Sequence, residues 1–135
     1  MQAQKVDFVS IPTRDLDRAA TFYGETIGLA RDPLSNSRDP LSNSTWPEFT
    51  AGNVTLAVVV PEQIDMEFAP LPFGAIAIRV PDVADARTEL EQHGVAFEGD
   101  TFDSGACHMA FFRDPDGNGL MLHHRYKPYH DGSTP

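Results

Sequence analysis

The chain has 135 residues, 41% of them hydrophobic, 10% aromatic and 22% charged, and a formal charge of −10. That length and composition suit one domain able to bury roughly two-thirds of the surface its unfolded form exposes, and they exclude a multidomain enzyme. Twenty acidic side chains against ten basic ones repel phosphate backbones and anionic lipid, so nucleic acid and membrane are not expected partners, whereas a cationic small molecule would be drawn in. Cys107 is the only cysteine, which rules out an intrachain disulfide, and the most apolar run, 54–60, is far too short to span a bilayer. The expected location is the cytoplasm.

In chain order, residues 8–11 form a short apolar strand that Pro12 ends. Asp15 is placed to cap a helix with Leu16, Ala20, Tyr23 and Ile27 on its inner side and Gly28 at its end. Residues 31–37, Arg-Asp-Pro-Leu-Ser-Asn-Ser, recur unchanged at 38–44. These polar, turn-forming copies read as an inert loop insertion, with a lid over a binding site or an arm to another subunit as the functional alternative. Residues 46–50 and 54–60 then form a hairpin turned by Gly52-Asn53. The same order returns in the second half. A strand over 76–80 stops at Pro81, Asp82 caps a helix with Val83, Ala86 and Leu90 inward, and Gly94 ends it. A hairpin of Cys107–Arg113 and Gly119–Arg125 follows, turned at Gly117-Asn118. One helix cannot cover both faces of a sheet, so the two halves are expected to pack side by side and curve around a common cleft.

The repeated strand-helix-strands layout, the segments Asp15-Leu16, Phe22-Tyr23 and Ile27-Gly28-Leu29, and above all Phe112-Arg113-Asp114-Pro115-Asp116-Gly117-Asn118 resemble the vicinal oxygen chelate superfamily. That group includes glyoxalase I, extradiol dioxygenases, fosfomycin-resistance transferases and bleomycin-resistance proteins. The resemblance runs from about residue 6 to about residue 125. It implies an α+β fold of two βαβββ modules in tandem, about 5–61 and about 73–126, forming a curved mixed sheet around a central cleft within a single domain of residues 1–135. It also implies a homodimer. Family enzymes hold a divalent metal with a His on the first strand of each module and a Glu on the last strand of the second. At the matching places this sequence has Phe8, Ala75 and Met121, and in the first module Leu56 or Ala57 according to register. None supplies the nitrogen or carboxylate oxygen that such ions need, so neither metal nor other cofactor is expected.

Strand alternation adds Ser10, Ala77 and His123 to the same side, and the strand before the Asp-Pro-Asp-Gly-Asn turn adds Phe111, Met109 and Cys107. Trp46 and Phe49 are candidates to stack on a ligand at the cleft mouth. This aromatic, thioether and small lining suits a bulky apolar or cationic ligand, oriented by Ser10 or His123 and held without chemistry. The resulting expectation is a metal-independent small-molecule-binding protein resembling the bleomycin-resistance branch, with no catalytic residue. The alternatives are a lyase, isomerase or dioxygenase using unusual metal ligands or His123 as general base, and a dimerisation module whose cleft its own side chains fill. Pairing across the turn sets Phe111 opposite Met121, Met109 opposite His123, and His108 opposite His124, the last two as a hydrogen-bonded pair away from the cleft.

Overall fold

Two aspartates start the two helices by the same local chemistry. Asp15 and Asp82 are extended, and the carboxylate of each accepts a hydrogen bond from the backbone N–H three residues on, Arg18 at 3.0 Å and Asp85 at 2.9 Å. The computed structural model describes residues 1–33 and 46–135, so most of the tandem repeat at 31–44 lies outside the described residues. The chain divides into two compact units, Met1–Leu71 and Pro72–Pro135.

The first unit runs β1 (Phe8–Pro12), α1 (Leu16–Thr21), β2 (Ala30–Arg31), β3 (Glu48–Thr50) and β4 (Thr55–Val59). Its sheet order is β1-β4-β3-β2, with β1 parallel to β4 and the other pairs antiparallel. The second unit repeats this as β5 (Ile76–Arg79), α2 (Val83–Gln92), β6 (Phe97–Asp103), β7 (Cys107–Arg113) and β8 (Gly119–Arg125), in the order β5-β8-β7-β6. The fold is therefore α+β, two βαβββ modules in tandem, each with a four-stranded mixed sheet. Beyond the strands read from sequence, β2 and β6 complete the two sheets.

Each sheet has one face packed on its helix. In the first unit Ile11, Phe49, Leu56 and Val58 are buried together with Ala19, Phe22 and Tyr23. The helix keeps its expected start but not its expected inner face. After Thr21 a π-helical turn, Phe22–Thr26, closes with a bond from the Ile27 N–H to the Phe22 carbonyl at 2.8 Å. The wider turn buries Phe22 beside Tyr23, their rings edge to face at 5.2 Å, and leaves Ile27 half-buried; Ala20, within α1, is also half-buried, and Ala19 is buried in its place. In the second unit Ala110, Phe112, Leu120 and Leu122 are buried with Val83 and Leu90 of α2. Among the described residues no helix is long and apolar enough to cross a membrane.

The β7–β8 turn is held from within. The buried Asp114 carboxylate accepts from the Asp116 and Asn118 N–H groups, both at 2.9 Å, and from the fully buried Asn118 side-chain amide at 2.7 Å. These bonds fix the strand register, and it places Phe111 opposite Met121, Met109 opposite His123 and His108 opposite His124 as the sequence predicts.

Candidate functional site

Because side chains alternate, burying one face of the second sheet under α2 turns a defined set to the other face. Ala77 pairs with Met121 and Arg79 with His123 across β5 and β8. Phe111 lies opposite Met121, Met109 opposite His123, and Cys107 opposite Arg125 across β7 and β8. Ala75 precedes β5 by one residue and continues its alternation. Six residues singled out from sequence, Ala77, Cys107, Met109, Phe111, Met121 and His123, thus share one face, with Ala75 at its margin. Their larger members are half-buried, whereas Ala110, Phe112, Leu120 and Leu122 on the opposite face are buried.

Phe73, which sequence reasoning missed, completes this face. Its ring is stacked on Phe111 at 4.5 Å between centroids and 25° between planes, and the residue is 56% exposed. The turn that carries it is seated tightly on the sheet. Gly74 has a positive φ of 65°, and a side chain there would meet the Met121 methyl at 3.1 Å and the Phe111 ring at 3.4 Å. The Ala75 N–H bonds back to the Pro72 carbonyl at 3.2 Å, and Gly119 lies directly beneath Pro72. A stacked ring pair with one outer ring open, flanked by two thioethers and two alanines, is a surface for planar apolar ligands.

The first unit presents a smaller counterpart. Phe8, Ser10 and Ala57 share the face opposite its helix, with Glu48 paired to Ala57 and Thr50 to Thr55. Register settles that Ala57, not Leu56, stands level with Ser10. Phe8 and Ser10 are exposed. Phe49 is not with them. It pairs with Leu56 on the helix-covered face, is 1% exposed and packs its ring 6.1 Å from that of Tyr23, so it is a core residue. Trp46 is half-buried and donates its indole N–H to the Gln63 side-chain oxygen at 2.8 Å, which ties it to the short helical turn Pro61–Ile64 after β4.

The histidines are separated by their partners. His108 Nε2 lies 3.3 Å from the Asp103 carboxylate, whereas His124 Nδ1 is 2.9 Å from the Val80 carbonyl oxygen, so the expected His108–His124 bond is replaced by two others. Asp103 also accepts from the Gly105 N–H at 2.8 Å and from the Tyr126 hydroxyl at 2.9 Å. The Gly105 bond first, and then the Tyr126 bond, hold the Asp103 carboxyl below its usual range, while the same contact raises the Tyr126 hydroxyl. This cluster fastens the β6–β7 turn to the segment after β8. The His123 imidazole, by contrast, makes no hydrogen bond among the described residues. Among those residues no three His, Cys, Asp or Glu side chains are grouped to hold a metal.

The sequence pattern of the Glyoxalase/Bleomycin resistance protein/Dioxygenase superfamily matches residues 5–122. The chain belongs to that superfamily. Among solved structures it is similar to TnmS3, an antibiotic binding protein from Streptomyces sp. CB03234, with 26% identity and a TM-score of 0.70 over 90% of this chain and 96% of that one. It is also similar to a superfamily member from Sphaerobacter thermophilus DSM 20745, at 22% identity and a TM-score of 0.76 over 89% and 96% of the two chains. A lactoylglutathione lyase from Agrobacterium tumefaciens, at 18% identity, gives a TM-score of 0.69 over 90% and 94%. No curated protein matches. A lyase and a binding protein on one scaffold show that the fold leaves the chemistry to the site.

At the superfamily's metal-binding places the residues do not fit a divalent ion. Phe8 and Ala57 in the first module, and Ala75 and Met121 in the second, offer hydrocarbon and a thioether. The Met121 methyl is packed at Gly74 beside the Phe111 ring, an apolar setting in place of a ligand cage.

Proposed function

We propose that the protein binds and sequesters a bulky, largely apolar aromatic small molecule without a metal and without transforming it. The observation that carries this reading is the open face of the second module, where the Phe73–Phe111 stack, Met109 and Ala77 surround Ala75 and Met121, the two residues at the places where metal enzymes of the superfamily carry ligands. The antibiotic-binding relative supports it. The reading includes a cytoplasmic location, where the free Cys107 thiol stays reduced, and assembly as a homodimer, which sedimentation would test.

The experiment is fluorescence titration with a neutral tricyclic probe, anthracene-2-carboxamide, in excess EDTA. Saturable binding in the micromolar range is expected, with Phe111→Ala or Phe73→Ala weakening it at least about tenfold by removing one ring of the stack. Binding that requires an added divalent ion, or that is unchanged in both variants, contradicts the proposal.

A second reading, an enzyme with His123 as general base, is favoured by one observation: this half-buried imidazole has no hydrogen-bond partner among the described residues and lies opposite Met109 on the open face. It requires turnover of the bound compound that His123→Gln abolishes while binding persists.

A further inference from the structure

The open face of the second module is not uniform along its strands. Ala77, Met121 and Phe111 form its apolar row. Two residues further along, about 7 Å away at a strand's rise, comes a row of Arg79, His123 and Met109, and beyond it Arg125 and Cys107. Two of the ten cationic side chains of a chain with charge −10 therefore stand at one end of a single sheet face.

Neither is neutralised by a side-chain carboxylate among the described residues. Arg79 donates from Nη2 to the main-chain oxygen of Pro135 at 3.2 Å. Arg125 donates to the main-chain oxygens of Lys127 and Pro128 at 3.0 and 3.1 Å and lies over the Tyr129 ring. These contacts engage part of each guanidinium group and leave several N–H donors unused. Glu98, which faces the same way, sits beside Phe111 at the other end of the face and is paired with Arg113. The His123 ring, between the arginines, makes no hydrogen bond among the described residues.

We propose that this basic end binds a carboxylate carried by the aromatic ligand whose rings lie on the Phe73–Phe111 stack, so that the ligand class is a planar aromatic acid. The proposal rests on the binding reading above, and it reverses the expectation of a cationic ligand drawn from net charge. Bulk charge acts through solvent and is screened within about 8 Å at physiological ionic strength, whereas a carboxylate at hydrogen-bond distance from two guanidinium groups is governed by those two.

The test compares three probes with one ring system: anthracene-2-carboxylate, its neutral carboxamide and 2-(aminomethyl)anthracene as the cation. The carboxylate is expected to bind at least about tenfold more tightly than the amide, and the cation most weakly. Arg79→Gln and Arg125→Gln should each cut the carboxylate-to-amide preference at least about threefold while leaving amide affinity within about twofold, and Arg79→Lys should retain part of it. Retained amide binding also shows that each variant is folded. Equal binding of carboxylate and amide to the unaltered protein, tightest binding of the cation, or a loss in Arg79→Gln shared by all three probes overturns the inference while the sequestration reading stands. Failure of the amide itself to bind removes that reading, and the inference with it.

Discussion

Gly119→Ala is expected to destabilise the protein by about 3 kcal/mol or more, read as a fall in the urea unfolding midpoint at unchanged slope. A Cβ at position 119 would lie 2.1 Å from the Pro72 carbonyl oxygen and 2.8 Å from the Gly74 nitrogen, and both obstacles are main chain that no rotamer change moves aside. Relief requires the 72–74 turn to lift from the sheet. That turn presents Phe73 to Phe111, so the variant should also lose affinity for the aromatic probe even at temperatures where it is fully folded. A midpoint within about 0.5 kcal/mol of the parent would show that the turn is not seated on β8 as described.

Asp114→Ala should cost about 2–4 kcal/mol, because it deletes the acceptor of three hydrogen bonds, one of them from a fully buried amide. Asp114→Asn keeps one carbonyl oxygen and should fall between the two. The measurement is again equilibrium unfolding, and similar stability in both variants would contradict the assignment of this turn as an internally bonded unit. Since the turn sets the β7–β8 register, the damage should extend to the alignment of Phe111 with Met121 and of Met109 with His123.

What could be read from sequence was what is decided locally. The caps at Asp15 and Asp82 depend on one side chain and a backbone N–H three residues away, and both form. The β7–β8 register depends on a five-residue turn, and it is as expected. The remainder depends on partners remote in sequence. Phe49 lies next to alternating neighbours whose parity only the pairing with Leu56 resolves, and that pairing turns its ring to Tyr23. His108 bonds to Asp103 of β6, a strand too polar to announce itself by alternating apolar residues. The π-helical turn after α1 breaks the spacing that put Ile27 inward.

The site shows the same division. Its apolar row followed from alternation around Met121, and the basic row was within reach of that rule, since Arg79 and Arg125 stand two residues beyond Ala77 and His123. Phe73 carried no such signal: it lies in a turn, outside any strand period, and only its stacking on Phe111 reveals it.

The central claim, that the open face of the second module holds an aromatic ligand, is tested most directly by the methyl resonances of the four methionines. Met109 and Met121 lie on that face, whereas Met1 and Met66 are exposed elsewhere in the sequence, outside the second unit. In carbon-13 methyl-labelled protein titrated with anthracene-2-carboxylate in EDTA, ring currents should shift the Met109 and Met121 signals saturably and together. Saturable shifts confined to Met1 or Met66, or binding that leaves Met109 and Met121 in place, would contradict it.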